Sequence, residues 1–231
     1  METVEHISEL PYLGKEVVRV WGAHVPDLLG RIDALDQTLC AAEREKAARF
    51  RRAVDRHASI VARGALRILL SGHTGLAPRE IQFEYMATGK PYVASSDIGF
   101  NVSHSGDWVV IALGRDRSIG VDVERVRRAI DVMAIAARYF TPAETALIEA
   151  AEDRHAVFFT LWSRKEAYVK ARGSTLFREL SSFAVPIADG ERDGWFFHGL
   201  KAGSKHAAAL VTDKPLADVP CYDFGGLKWD N

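Results

Sequence analysis

Two acidic residues lie two positions apart at the end of a segment that has the composition of a buried strand. The segment is IGVDVE, residues 119–124. Side chains two positions apart leave the same face of a strand, so Asp122 and Glu124 are expected to point the same way. Two carboxylates on one face repel each other unless a cation or a proton lies between them. The alternative, which the strand pattern alone favours, is a strand end that reaches solvent with both acids hydrated.

A third acid lies on the segment WSRKEAYVKARG, which is typical of a helix that ends at its glycine, Gly173. Glu166 and Lys170 are four positions apart and share a helix face with Trp162, one turn earlier. On a solvated face Glu166 and Lys170 would form an exposed ion pair worth about 0.3–0.5 kcal/mol. A tryptophan, however, is expected in a core or a cleft. Taken alone, the helix fits a surface and a site equally well.

Together these residues predict a particular chemistry. Three carboxylates suit Mg²⁺, a hard ion that proteins usually hold with a few carboxylates and the substrate's phosphates. Cysteine and histidine spacings typical of zinc are absent, as are a GxxxxGK[ST] loop and a GxSxG elbow. A turn with serine and histidine, Ser103 to Gly106, precedes the acids. The residues therefore indicate Mg²⁺-assisted chemistry on a phosphate anhydride.

The overall charge argues against a nucleic-acid ligand. The 231 residues carry a formal net charge of −1, whereas nucleic-acid affinity comes mainly from cations that neutralise phosphates. One stretch is nevertheless strongly basic, with a single acid, Asp55. Its arginines are Arg49, Arg51, Arg52, Arg56, Arg63 and Arg67. A local basic patch on a nearly neutral protein suits a small polyanion.

Composition also predicts the compartment. No apolar run approaches the roughly 18 residues of a membrane span, and the start, METVEHISEL, lacks the pattern of a secretory signal. Two cysteines, Cys40 and Cys221, are too few for a disulfide framework. We therefore expect a cytoplasmic protein with no membrane or nucleic-acid partner.

Helical and strand-like segments follow each other in the same order in both halves of the chain. Helices are expected over residues 33–50, 54–70 and 155–172, and strands over 81–85, 100–103, 108–113 and 119–124. Three further strand-like segments follow the last helix. This order predicts an α+β fold of two similar halves, 1–116 and 117–231, each with a helix packed on a small antiparallel sheet.

Another helix is expected to begin at Thr141, because Pro142 and Glu144 complete a capping box there. Glu144 is therefore interpreted as a helix cap rather than a substrate contact. Lys165 precedes Glu166 but points about 100° away around its helix. The sequence leaves open whether Lys165 forms an outward ion pair or binds a ligand.

The order of these motifs resembles that of the 4′-phosphopantetheinyl transferases, in the long group that activates peptide and polyketide synthetases such as surfactin synthetase. The shared motifs are Gly89-Lys90-Pro91, NVSHS at 101–105, GVDVE at 120–124, FTPAE at 140–144 and WSRKEAYVKARG at 162–173. Each motif alone is weak, but the last two in this order are highly specific. The helical segment that precedes all five motifs also aligns loosely with the family.

The resemblance implies a transferase that moves the 4′-phosphopantetheine arm of coenzyme A to a serine of an apo acyl or peptidyl carrier protein, releasing adenosine 3′,5′-bisphosphate. It implies that Asp122, Glu124 and Glu166 hold Mg²⁺, with Mn²⁺ as a possible substitute. Glu166 is the expected base for the serine proton, and Lys170 is expected to neutralise the diphosphate. A hydrolase acting on coenzyme A or a nucleotide, and a homologue that only binds coenzyme A, are the competing hypotheses.

The resemblance also implies a coenzyme A site. Lys46 is expected near the phosphates, Ser103 and His104 at phosphate oxygens, and Gly89-Lys90-Pro91 along the adenine. An arginine that binds the 3′-phosphate in the family is replaced by Ala58, so either Arg56 or Arg63 compensates, or the contact with the 3′-phosphate is weaker. A second family lysine is replaced by Glu43.

The related holo-carrier-protein synthases of fatty acid synthesis are about half as long and build their sites between subunits. This chain contains the histidine turn, the strand acids and the helix of Glu166 together. We therefore expect a monomer with two pseudo-symmetric halves and the active site between them. Carrier proteins are usually acidic around their serine, so a basic rim is expected beside the site. The candidates are Arg125, Arg127 and Arg128, with Tyr139 and Phe140 as apolar contacts; solvated surface charge is the alternative.

Overall fold

The computed structural model describes residues 9–94, 96–174 and 177–227. The first part of the chain forms β1 (Val18–His24), α1 (Ile32–Gln37), α2 (Ala41–Ala48), α3 (Ala53–Thr74), β2 (Glu84–Tyr85), β3 (Pro91–Tyr92), β4 (Ile98–Ser105) and β5 (Trp108–Arg115). The second part forms β6 (Ile119–Arg125), α4 (Val132–Tyr139), α5 (Pro142–Ala150), α6 (Arg154–Ala171), β7 (Gly190–Arg192), β8 (Trp195–Leu200), β9 (His206–Thr212) and β10 (Cys221–Asp223). Short 3₁₀ turns occupy Val25–Arg31, Pro78–Glu80, Phe177–Ser182 and Phe224–Gly226.

Two four-stranded sheets organise the molecule. The first has the order β10-β1-β5-β4 and the second β6-β9-β8-β7, while β2 and β3 form a separate hairpin. All neighbours in these sheets are antiparallel except β10, which runs parallel to β1. The predicted α+β class with two halves is therefore confirmed.

One long helix covers each sheet. The apolar face of α3, including Val61, Ala65 and Leu69, joins the core cluster of the first sheet. Ala167 and Ala171 of α6 pack in a second cluster with residues of β8 and β9. A third buried cluster holds side chains of β1 and β5 together with those of β6 and β9, so the two halves share a core.

The chain crosses from the first sheet to the second between β5 and β6, close to the predicted boundary at 116/117. It also returns, because Cys221 of β10 pairs with Val20 of β1. The end of the predicted second half thus completes the first sheet. The outermost residues of both predicted ranges, 1–8 and 228–231, lie outside the described residues.

Several predicted bounds were wrong in detail. The helix expected over 33–50 is two helices, because Thr38 ends α1 and Cys40 starts α2. The next helix continues past Gly72 and stops at Gly75, whose φ of 76° ends it. Of the strand expected at 81–85, only Glu84 and Tyr85 pair. No helix among the described residues combines the length and apolarity that a membrane span requires.

Candidate functional site

Two serines on β4 hold the two acids on β6. The Ser103 hydroxyl donates to Asp122 Oδ1 at 2.8 Å, and the Ser105 hydroxyl donates to Glu124 Oε2 at 2.9 Å. The spacing of two on both strands puts all four side chains at one seam between the halves, as the strand period predicts. Ser103 and Asp122 are buried. The acids are thus fixed by hydrogen bonds and are not hydrated ends of a strand.

A glycine lets the second wall of the site come close. A Cβ added at Gly120 would lie 2.9 Å from the carbonyl carbon of Ala167 and closer still to its oxygen. Helix α6 can therefore lie directly against β6 only because residue 120 has no side chain. This approach brings Glu166 and Lys170 to the acids of the strand.

The ammonium group of Lys170 forms the contact between the two walls. Its Nζ lies 2.6 Å from Asp122 Oδ1, 3.0 Å from Ser103 Oγ and 3.3 Å from the carbonyl oxygen of Val121. The Asp122 side chain in this ion pair is only 5% exposed. The alternative of a solvated ion pair between Glu166 and Lys170 is therefore not what the structure shows.

The three carboxylates share one electrostatic environment. Burial raises the pKa of Glu166 to about 7, with further repulsion from Asp122 and Glu124, although Lys170 opposes the shift. Burial also raises the pKa of Asp122, and burial together with the Asp122 charge raises the pKa of Glu124. The site therefore carries more negative charge than Lys170 compensates.

Two carboxylate oxygens at this site have no hydrogen-bond partner, Asp122 Oδ2 and Glu166 Oε1, and both are buried. Orphaned oxygens and uncompensated charge are what a hard divalent cation satisfies. Within the described part of the chain, no three acidic, histidine or cysteine side chains already form a metal-binding cluster. The residues fit Mg²⁺ by chemistry and charge. Lys170 pairs with Oδ1 of Asp122, so Oδ2 is the oxygen that a metal ion would bind.

A cavity of about 860 Å³ adjoins the seam. Four residues expected at coenzyme A are among those that line it: Lys46, Arg63, Pro91 and His104. Its walls come from α2, α3, the β2–β3 hairpin and β4. Arg56, Gly89, Lys90 and Ser103, which were expected in the same role, are not among its lining residues. Ser103 instead belongs to the cluster of acids.

Arginines make one end of this cavity basic. The guanidinium of Arg63 lies 4.6 Å from the ring centroid of Phe83, and its Nη1 is buried without a partner. Arg67 donates from Nε to Glu43 Oε2 at 2.7 Å. Burial would raise the pKa of Glu43, but the hydrogen bonds from Arg67 and from its own helix start lower it below the ordinary value. Because Arg63 lines the cavity and Arg56 does not, Arg63 is the better placed of the two predicted substitutes for the family arginine that Ala58 replaces.

The three residues of the Gly89-Lys90-Pro91 motif have different positions. Gly89 has a φ of 84° and forms the hairpin turn, and Pro91 lines the cavity. Lys90 points to the other half, where its Nζ donates to the carbonyl oxygens of Ile119 and Lys170, both at 2.8 Å. Burial lowers the pKa of Lys90 to about 8.

Lys165 is a buried structural residue. Its Nζ lies 2.9 Å from Glu144 Oε2 and 2.6 Å from the carbonyl oxygen of Leu180, and it also donates to the carbonyl of Phe183. Both open alternatives, an outward pair and a ligand contact, were therefore wrong. As predicted, Glu144 completes the capping box of α5, where its carboxylate accepts a hydrogen bond from the Thr141 amide. The same carboxylate also neutralises Lys165. Sequence spacing does not reveal this pair, because its partners are on different helices.

One of the three arginines of the predicted basic rim is already paired with an acid. Arg125, Arg127 and Arg128 are all exposed, but Arg128 forms two hydrogen bonds to Asp153, at 2.6 and 2.7 Å. Phe140 was expected to offer an apolar contact; it is buried, with only 4% of its surface exposed.

Comparisons with known proteins show which family the chain is similar to. Residues 118–215 match the family model of the 4′-phosphopantetheinyl transferase superfamily, and residues 27–115 match that of the 4′-phosphopantetheinyl transferase N-terminal region. The chain is 33% identical over 177 residues to a 4′-phosphopantetheinyl transferase of Bacillus subtilis, covering 74% of this chain and 78% of the relative.

Two further relatives support the same family. The 4′-phosphopantetheinyl transferase HetI of Nostoc sp. is 34% identical over 162 residues, 68% of each chain. The 4′-phosphopantetheinyl transferase Sfp of Bacillus subtilis strain 168 is 33% identical over 148 residues, 63% of this chain and 65% of Sfp. On these similarities, this chain belongs to the 4′-phosphopantetheinyl transferase family, in the Sfp-type group.

Proposed function

We propose that the protein transfers the 4′-phosphopantetheine arm of coenzyme A to a serine of an apo acyl or peptidyl carrier protein. The serine oxygen forms a bond to the phosphorus that bears the pantetheine, the bond to the diphosphate's bridging oxygen breaks, and adenosine 3′,5′-bisphosphate leaves. One observation carries the proposal: Asp122, Glu166 and Lys170 lie together in a buried seam next to a cavity lined with cations.

The cavity suits the nucleotide end of coenzyme A. Its volume is about 860 Å³, within the usual range of about 300–1,000 Å³ for ligand sites. Lys46 and Arg63 supply positive charge for the phosphates, and His104 borders the cavity at its β4 side. Arg63 is the expected partner of the 3′-phosphate, because one of its N–H groups has no protein acceptor.

The seam suits the diphosphate. Asp122, Glu124 and Glu166 would hold Mg²⁺, which would offset the charge of the diphosphate during transfer. The two unpartnered oxygens at the site support this assignment. Lys170 is within hydrogen-bond distance of both Ser103 and Asp122, which holds its ammonium group at the seam, beside the proposed position of the diphosphate.

Glu166 is the proposed base for the serine proton. In the metal-free site, burial together with two neighbouring acids raises the pKa of Glu166 to about 7, near the working pH at which a base acts best. The serines of β4 then keep the acids of β6 in place beside Glu166.

The carrier would approach over the exposed side chains of Arg125 and Arg127. The chain has two cysteines, too few for a disulfide framework, which supports a reducing compartment, and we propose the cytoplasm. Because one chain supplies both walls of the seam, we also propose that the enzyme acts as a monomer.

The decisive experiment is an intact-mass assay. The protein is incubated with coenzyme A, Mg²⁺ and a panel of apo carrier proteins, and each carrier should gain the mass of the arm. No gain across the panel would overturn the proposal. Consumption of coenzyme A without any carrier would instead identify a hydrolase, and calorimetric binding without transfer would identify a binding protein.

A further inference from the structure

The Lys90 side chain crosses from the hairpin of the first half to the helix and strand of the second. Its Nζ donates to the carbonyl oxygen of Ile119 at 2.8 Å, to that of Lys170 at 2.8 Å and to that of Ala171 at 3.5 Å. Ile119 begins β6, whereas Lys170 and Ala171 end α6. One ammonium group therefore joins three elements.

The position suits a cation. The last carbonyl groups of a helix lack partners within the helix, and the end of the helix carries partial negative charge. The hairpin also packs on this end of α6: a Cβ at Gly173 would lie 3.7 Å from Met86 Sδ and 3.9 Å from Lys90 Cδ. The contact is thus built from both packing and hydrogen bonds.

The same hairpin forms a wall of the cavity. Tyr85 and Pro91 pair with each other across β2 and β3, and both line the cavity. Lys90 directly precedes Pro91, and its backbone carbonyl accepts a hydrogen bond from the Met86 amide at 2.9 Å. Loss of the Lys90 side-chain bonds to β6 and α6 would therefore leave this wall less firmly fixed.

We propose that Lys90 is a positioning residue, which fixes the cavity wall at Tyr85 and Pro91 relative to the last turn of α6, the turn that bears Lys170. A ligand that extends from the cavity to the seam must contact the cavity wall and Lys170 at the same time. Binding is therefore weaker when the distance between that wall and α6 is not fixed. The inference rests on the proposed coenzyme A site. It does not place the Lys90 ammonium on the ligand.

The test compares Lys90→Met, which keeps the length of the side chain and removes its donors, with Lys90→Arg and with Lys201→Met, an exposed lysine. For Lys90→Met we expect the KM for coenzyme A to rise about tenfold, equivalent to roughly 1.4 kcal/mol. Its kcat should change by less than about threefold, because Lys170 keeps its bonds to Asp122 and Ser103. Lys90→Arg should recover most of the loss, and Lys201→Met should match the parent protein.

Hydrogen exchange of the ligand-free protein provides the second measurement. Lys90→Met should speed exchange in residues 84–92 and 168–173, and Lys90→Arg should speed it less. A raised KM with unchanged exchange would mean that Lys90 contacts the ligand directly, which overturns the proposal. An unchanged KM in folded Lys90→Met would also overturn it, provided that Arg63→Ala raises KM. If Arg63→Ala and Lys46→Ala leave KM unchanged too, the coenzyme A site is wrong, and the exchange experiment alone decides whether Lys90 holds the hairpin.

Discussion

Gly120 on β6 faces the backbone of Ala167 on α6 at a distance that leaves no room for a side chain. The contact sets the separation of the strand and the helix, and through it the distance between the acids of both elements. The glycine of the GVDVE motif is therefore as much part of the site as the acids that follow it.

Gly120→Ala should destabilise the protein, because the added methyl group would clash with backbone atoms of Ala167 and Ala171 on α6. Helix α6 could make room only by moving away from β6, which would open the seam. Overpacking of this kind costs about 1–3 kcal/mol, occasionally more. Denaturant unfolding measures the loss, and turnover should fall with it. Gly190→Ala is the matched control, since Gly190 also lies on a strand of the second sheet and has open space around it. Equal losses at the two positions would refute the role given to Gly120.

Glu166→Gln should lower turnover by roughly 10²-fold or more, the usual contribution of a base. The amide cannot accept the serine proton, and it is a poor ligand for Mg²⁺. Stability should be kept or improved, because the change removes a buried charge that Asp122 and Glu124 repel. Thermal unfolding and the mass assay test the two statements, with exposed Glu149→Gln as control. A stable variant that transfers the arm at the parent rate would exclude Glu166 as the base.

Arg63→Ala should weaken coenzyme A binding by about 10- to 100-fold, since a hydrogen bond to a charged group contributes roughly 1.5–3 kcal/mol. Arg56→Ala, on the same helix but not on the cavity wall, is the control and should bind normally. Calorimetry with coenzyme A and with its 3′-dephospho form makes the test specific. An equal loss of affinity for both ligands would show that Arg63 does not contact the 3′-phosphate.

Lys165→Met should cost about 3–5 kcal/mol in unfolding free energy, because it leaves the buried carboxylate of Glu144 without its cationic partner. The double variant Lys165→Met with Glu144→Gln removes both charges and should regain part of that loss. Chemical denaturation of the two single variants and the double variant gives the coupling. Additive losses would mean that the two residues do not act as a pair.

Replacing Arg125 and Arg127 together by alanine should slow transfer to an acidic carrier, most clearly at low salt, where surface charges are least screened. Replacing Arg128 should have a smaller effect, because Asp153 already neutralises it. Transfer rates at several ionic strengths measure this. A rate that is independent of these residues at low salt would place carrier docking elsewhere.

Local spacing predicted a large part of the site. The period of two on β6 and the spacing of four on α6 put Asp122 beside Glu124 and Glu166 beside Lys170, because these relations depend only on backbone geometry within one element. The capping box at Thr141 was predicted for the same reason.

Several other relations between distant elements were not predicted. Lys165 and Glu144 meet only because α5 and α6 pack together. Lys90 belongs to a motif in the hairpin but bonds to α6 and β6, and nothing in its local sequence indicates that direction. Phe140 is buried against Phe158 because α4 and α6 pack together, which a pattern of single residues does not show.

The parallel pairing of β10 with β1 has a consequence for synthesis of the chain. Val20 meets Cys221, a partner that is translated only after all of the intervening chain. One edge of β1 therefore stays open during translation, and contacts so far apart in sequence form slowly. Until they form, that edge of β1 is open to pairing with other strands, so a chain held at this stage is exposed to aggregation.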